Sequence, residues 1–144
     1  MSSKMTHEER ERFLAEPRVA IVSIAEEGRG PLSVPVWYDY EPGGDLWFLT
    51  QSDSRKGKLL AAASRFSLCV QEPTAPYKYV SVEGPIVATE AYDLETDLKP
   101  MAQRYLGQEG GAQYADGMRE AHARGNSIKV VMRPERWLTV DYGK

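Results

Sequence analysis

The run Leu32–Tyr40 (LSVPVWYDY), the turn Pro42-Gly43-Gly44 and the run Asp45–Thr50 (DLWFLT) constrain this chain more than any other stretch. Two β-type segments joined by so few residues pair antiparallel, because a parallel neighbour needs a crossover of about a dozen residues or more. The pattern recurs. Val19–Ile24 meets Leu32–Tyr40 across the glycine turn Glu27-Gly28-Arg29-Gly30-Pro31, and Asn126–Arg133 meets Arg136–Tyr142 around Arg133-Pro134-Glu135. Arg65–Gln71 (RFSLCVQ) and the long run Tyr77–Ala91, with a bulge or bend expected at Gly84-Pro85, supply two more strands. Strands outnumber helices. A mainly β fold, an antiparallel barrel with a few surrounding helices, is therefore expected, although these patterns do not specify closure.

The helices announce themselves by their caps and period. Thr6-His7-Glu8-Glu9 has capping-box spacing and predicts a helix over 6–15, ended by Pro17. A second helix is expected from Ser54 to Ala63. A third spans Leu94–Leu106, where Leu98, Met101, Ala102 and Tyr105 recur at helical spacing. The glycine-rich stretch from Gln108 to Gly125 holds at most a short helix over 114–123, so 94–124 reads as a helical insertion. The β-branched run Val19–Ile24 reads as a well-buried strand.

The chain of 144 residues matches the size of one domain, 1–144, able to bury a core without disulfides or metal. Its net charge of -3, without a basic stripe, argues against nucleic acid as a partner. No apolar run approaches the ~20 residues of a membrane span, and Met1-Ser2-Ser3-Lys4-Met5 leads into a polar helix, so a cytoplasmic protein is expected. Cys69, alone in the apolar run Phe66–Val70, is expected as a buried, reduced thiol.

Catalytic constellations are scarce. His7 and His122 are far apart in polar helical segments, Cys69 lacks electropositive neighbours, and the carboxylates fall on solvated helical faces. Phosphate loops of the GxxxxGK[ST] and GxGxxG types are missing, so no metal ligands and no catalytic side chains are assigned. Any chemistry here is expected from a bound cofactor.

The cluster Ser52-Asp53-Ser54-Arg55-Lys56-Gly57-Lys58 then becomes informative. Cations at a helix N-terminus oppose the helix dipole. Two readings fit: solvated charges in a loop, with the helix starting near Gly57, or a phosphate cradle. In the second, free amides, the Ser52 and Ser54 hydroxyls and two or three cations converge on an anion at the end of a strand. Upstream, Pro35 cannot donate to a ladder and marks an edge or a break. Backbone groups of Ser33, Val34 and Val36 are thereby freed to meet a planar heteroaromatic ring, unless Pro35 is an ordinary edge proline.

The ordered segments G-x-G-P-L-S-V-P-V-W-Y-D-Y (Gly28–Tyr40), G-D-L-W-F-L-T (Gly44–Thr50), S-R-K-G-K-L-L (Ser54–Leu60), R-F-S-L-C-V (Arg65–Val70) and Y-V-S-V-E-G (Tyr79–Gly84) together resemble a known family. It is that of the pyridoxamine 5'-phosphate oxidase-like split-barrel flavoproteins, and in particular their small flavin- or deazaflavin-dependent oxidoreductases. The resemblance spans about residues 10–142. It implies a six-stranded antiparallel split barrel, a homodimer and cofactors held at the subunit interface. By position, Lys56 matches the phosphate-binding lysine, with Ser54, Arg55 and Lys58 in the same turn. Ser33, Val34, Pro35 and Val36 match the strand bordering the tricyclic ring, and Thr50, Gln51 and Ser52 the strand end leading to the phosphate. The chain closes soon after Arg136–Tyr142 without the longer extension of true pyridoxamine phosphate oxidases, so vitamin B6 oxidation is not the expected activity. FMN and the deazaflavin F420 both fit the resemblance. Three cations in four positions tilt toward F420, whose phosphodiester continues into an acidic tail. The implied reaction is hydride transfer to a small unsaturated or quinone-like acceptor, with Trp37 and Tyr79 as candidate linings of its pocket. A binding protein without turnover is the alternative.

Overall fold

Two strands adjacent in sequence lie at opposite ends of the sheet, and this closes the barrel. The structure, a computed structural model, describes residues 2–144. Its strands are β1 (Ala20–Ile24), β2 (Leu32–Val36), β3 (Asp39–Tyr40), β4 (Leu46–Gln51), β5 (Arg65–Gln71), β6 (Lys78–Ala91), β7 (Ser127–Met132) and β8 (Arg136–Asp141). All pairings are antiparallel, in the order β2-β1-β5-β6-β7-β4-β3, with β8 also on β6. Only Trp37 and Tyr38 separate β2 from β3, the two ends of that path. The sheet must curl until its edges meet. Counted as one broken strand, β2 and β3 complete a six-stranded ring, the split barrel implied by the resemblance.

The run Leu32–Tyr40 is thus interrupted rather than continuous, and side chains from a helix occupy the break. The Tyr105 hydroxyl accepts from the Tyr38 amide at 3.0 Å and lies 2.8 Å from the Arg18 carbonyl and 2.9 Å from the Tyr38 carbonyl, which share its single proton. Arg104 Nε donates to the Tyr38 carbonyl at 3.1 Å. Buried backbone groups that leave a ladder need such partners. Tyr38 itself is fully buried, its hydroxyl donating to the Leu14 carbonyl at 2.6 Å.

β6 holds both halves together. The hairpin expected around Arg133-Pro134-Glu135 does not form, because β6 is long enough to pair with both strands in succession: β7 and β8 lie end to end along one side of it, with Ile86 opposite Met132 and Glu83 opposite Arg136. At that joint Gly84 approaches so closely that a Cβ there would stand 1.8 Å from the Arg133 carbonyl oxygen. The expected irregularity in the long strand appears as this contact and as a register shift between Ile86 and Ala88.

The core fills the ring: Val22, Ile24, Leu46, Phe48, Leu68, Val70, Val80, Val82, Val130 and Met132 point inward. Helix α1 (His7–Ala15), closed by both hydrogen bonds of the Thr6–Glu9 capping box, adds Phe13 and Leu14 to it. Helix α2 (Arg55–Ala62) adds Leu60.

Two expectations fail for one reason. β1 is buried on one face only, leaving Val19 54% and Ile21 42% exposed, and Cys69 is exposed rather than buried. A barrel strand has a single inner face, so every second residue points out. On the outer face Pro35, Ile21, Cys69, Ser81 and Leu138 line up in register across β2, β1, β5, β6 and β8.

The helical insertion is longer and more folded than its period suggests. A π-helical turn (Leu94–Leu98) runs into α3 (Lys99–Gly117), followed by the short α4 (Arg119–His122). Within α3, Gly107 takes φ 82° and ψ 170°, splitting it into two limbs. They pack tightly: a Cβ on Gly111 would lie 2.3 Å from the Cα and N of Gln103. Helix expected only from 114 therefore begins already after Gly107, since packing outweighs the poor helix propensity of Gly110 and Gly111. Tyr92, Leu94, Leu98 and Ala115 form a separate small core, joined by Leu49 and Met118. No helix among the described residues is long and apolar enough to cross a membrane.

Candidate functional site

The cleft between the barrel and the helical insertion has a volume of about 430 Å³, within the range of small-molecule sites. Its lower wall comes from β4. Leu46, Phe48 and Thr50 point into the barrel, which leaves Leu49 and Gln51 on the outer face, toward the insertion. One end of the cleft is polar, lined by Thr50, Gln51 and Lys56. Tyr92, Leu98, Met101, Tyr114 and Met118 make the other end apolar, and Val19, Pro35, Val36 and Trp37 flank the space between.

The polar end is built by the strand-to-helix connection after β4. Ser54 caps α2, its hydroxyl accepting from the Gly57 amide at 3.0 Å and donating to the Gln51 carbonyl at 2.7 Å. Gly57 is required by close approach: a Cβ there would fall 2.1 Å from the Gln51 carbonyl oxygen. The first turn is thereby pressed against the strand end. The cation cluster belongs to a helix start and not to a loop, since the helix begins at Arg55. The amides of Arg55 and Lys56, in the first turn, have no carbonyl within the helix to meet.

Among the described residues, Lys56 is the one charged residue that lines the cleft. Its ammonium lies 6.0 Å from the Phe48 ring centroid, and among the described residues it forms no ion pair. Burial holds its pKa below the ordinary lysine value. A cation kept half-buried without a carboxylate is a candidate partner for an external anion.

The other sequence candidates separate into groups. Arg55 turns away to Glu26, 2.5 Å from its carboxylate. Lys58 is exposed and, two residues on from Lys56 in α2, projects from another side of the helix, and Ser52 is exposed with its amide donating to the Asn126 carbonyl at 2.8 Å; neither lines the cleft. Ser33 points outward and its hydroxyl meets that of Ser23 at 3.0 Å, while Val34 packs against the barrel core. Pro35, Val36, Trp37, Thr50, Gln51 and Lys56 are brought together in one cleft. Tyr79 is not among them. It stands on β6 opposite Gln71 and Val140, on the outer face of the barrel.

Sequence reasoning missed the upper wall. Leu98 and Met101 were legible as an apolar helical face, but nothing local said that they face a cleft and not the barrel. Leu49 carried a usable signal: with Trp47 it makes β4 apolar on its outer face too, as a strand covered on both sides requires. Trp37 is held between Tyr105, stacked at 5.1 Å and 7°, and Tyr114, tilted at 5.2 Å and 55°.

No carboxylate, histidine or cysteine lines the cleft, and among the described residues no group of three or more such side chains is placed to hold a metal ion. The lining can bind and orient a ligand and exclude water, and its one amine, Lys56, stands at the polar end.

A family model described as pyridoxamine 5'-phosphate oxidase matches residues 5–141. Among solved structures, an F420 reductase is similar at 20% identity, with a TM-score of 0.70 over 89% of this chain and 94% of that one. A conserved hypothetical protein from Mycobacterium tuberculosis gives the same identity and TM-score over 99% and 89%. An FAD-binding protein from Mesorhizobium loti is 20% identical, with a TM-score of 0.62 over 94% and 93%. Among curated proteins no sequence matches the chain. At these identities the structural likeness establishes the fold alone.

Proposed function

Because this chain belongs to the pyridoxamine 5'-phosphate oxidase family, we propose that it is an oxidoreductase whose cleft holds a flavin-type cofactor, F420 in the first instance, and serves hydride transfer to a small unsaturated or quinone-like acceptor. Lys56 carries this reading: it is half-buried, without a carboxylate partner, and placed at a helix start whose first amides are free. Lys56 and the amides of Arg55 and Lys56 would hold the phosphate, with Thr50 and Gln51 beside it. Pro35, Val36 and Trp37 would border the ring. The bound cofactor supplies the hydride chemistry; the chain's own side chains position it and exclude water.

The choice of F420 rests on cations in excess of one phosphate's needs. Lys58, exposed and without an ion pair among the described residues, would serve an acidic tail that runs past the helix start. Arg55, engaged with Glu26, favours the alternative, FMN, whose single phosphate Lys56 can satisfy.

We further infer a homodimer. The row Pro35, Ile21, Cys69, Ser81 and Leu138 is apolar or small, with Ile21 42% and Leu138 60% exposed, and a second copy would cover it. Tyr79, one position along on the same face, would then reach a site only across the dimer.

One set of measurements tests these points. Fluorescence titration with FMN and with F420 identifies the cofactor, and consumption of reduced cofactor with menadione reports turnover. Binding without consumption leaves a binding protein, and binding of neither cofactor overturns the proposal. Light scattering gives the mass. An Ile21→Asp, Leu138→Asp variant should be monomeric, and a monomeric parent would refute the dimer.

A further inference from the structure

The upper wall of the cleft includes a helical limb that is packed through a close glycine contact. The limbs of α3 meet where Gly111 lies against the backbone of Gln103, leaving no room for a Cβ. From that second limb Tyr114 projects against Trp37, and Met118 follows at its end; both line the apolar end of the cleft. Ala115, on the same limb, is buried in the small core with Leu98 and Tyr92, so the limb is anchored to the cleft's own lining.

We propose that this second limb is the specificity wall of the site, with Tyr114 and Met118 setting the size of ring system admitted beside Trp37. The inference rests on the proposed function, with the acceptor taken at the apolar end of the cleft, beyond the part of Trp37 that borders the cofactor ring. The physical basis is direct. The apolar end has no charged group to select by electrostatics, so shape selects, and of the five side chains that shape it Tyr114 and Met118 are the two carried by or just beyond the packed second limb. Shortening either side chain enlarges the chamber. Forcing a methyl onto Gly111 displaces the limb as a whole.

The test uses neutral quinones of one, two and three fused rings: duroquinone, menadione and phenanthrenequinone. Binding is read without turnover from quenching of Trp37 fluorescence in a Trp47→Phe, Trp137→Phe background, and turnover from loss of reduced cofactor in the full protein. Tyr114→Ala and Met118→Ala should each shift the affinity ratio of phenanthrenequinone over duroquinone about tenfold toward the larger ring. Gly111→Ala should do the same. Gly110→Ala, whose Cβ would meet only Leu106 Cβ at 3.4 Å, should leave the ratio unchanged. A ratio unmoved in both Tyr114→Ala and Met118→Ala overturns the proposal, even where Gly111→Ala fails to fold. A shifted binding ratio with no consumption of reduced cofactor would instead refute hydride transfer and leave the wall standing.

Discussion

Replacing Lys56 with methionine removes the ammonium and keeps most of the apolar stem, so it isolates the charge that the cleft holds without a partner. A hydrogen bond from a charged donor to a phosphate contributes about 1.5–3 kcal/mol, which corresponds to a loss of about 10- to 150-fold in cofactor affinity. The loss should not be total, because the free amides of the first turn and the exposed cation Lys58 remain. Stability should respond differently. Burial disfavours the charged form of Lys56, so a neutral side chain relieves that cost, and the melting temperature of the cofactor-free variant should hold or rise. Lys58→Ala provides the contrast: an exposed charge contributes about 0.2–1 kcal/mol, a loss of at most about fivefold, and one more readily abolished by salt. Fluorescence titrations with FMN and F420 at low and high salt, with thermal melts of the free proteins, measure all of this. The placement of the phosphate is wrong if Lys56→Met binds like the parent or if Lys58→Ala costs more. A weakened Lys56→Met that also melts lower would make Lys56 a structural residue.

The same lysine sets a pH dependence. Its folded pKa lies below the ordinary value near 10.5, and a bound phosphate raises it again, so binding takes up a proton in the alkaline window between. Affinity should fall by up to about tenfold per pH unit as pH rises through the free-state pKa, a fall that Lys56→Arg should postpone. Stability of the free protein has the opposite sign there: the unfolded chain binds more protons, so stability should rise with pH over that window. Tyr105→Phe leaves the buried Tyr38 amide without its acceptor and should cost about 1–3 kcal/mol in urea unfolding; a change below about 0.5 kcal/mol would show that the clamp is not needed at the β2–β3 break. Gly84→Ala pushes a methyl into the Arg133 carbonyl and should cost about 3 kcal/mol, whereas Gly30→Ala, with open space around it, should be close to neutral.

Much of the fold was legible because turns act locally. Pro42-Gly43-Gly44 and the glycine turn before β2 make antiparallel neighbours of the strands they join, and Thr6 and Ser54 satisfy helix-start amides with their own hydroxyls. Pro35 correctly marked an edge strand, since β2 pairs only with β1. Buried and exposed faces were less legible. Val19, Ile21 and Cys69 belong to strongly β-branched or apolar runs, yet they point out, because the phase of an alternating strand depends on where the barrel's interior lies. In the candidate site, residue types were readable at the polar end, where a strand end, a cap and cations follow one another. They were not readable at the apolar end, where Tyr92, Leu98, Met101, Tyr114 and Met118 come from elements that meet only after α3 folds back at Gly107.

By itself the sequence determined the antiparallel hairpins, the capped helices and the presence of cations at the start of α2, all consequences of backbone chemistry within a few residues. Tertiary structure decided the rest. It closed the ring across Trp37 and Tyr38, took Arg55 away to Glu26, left Lys56 without a carboxylate inside a cleft, and roofed that cleft with a limb held by Gly111. Each of those outcomes depends on the distance between residues remote in sequence, and packing alone sets that distance.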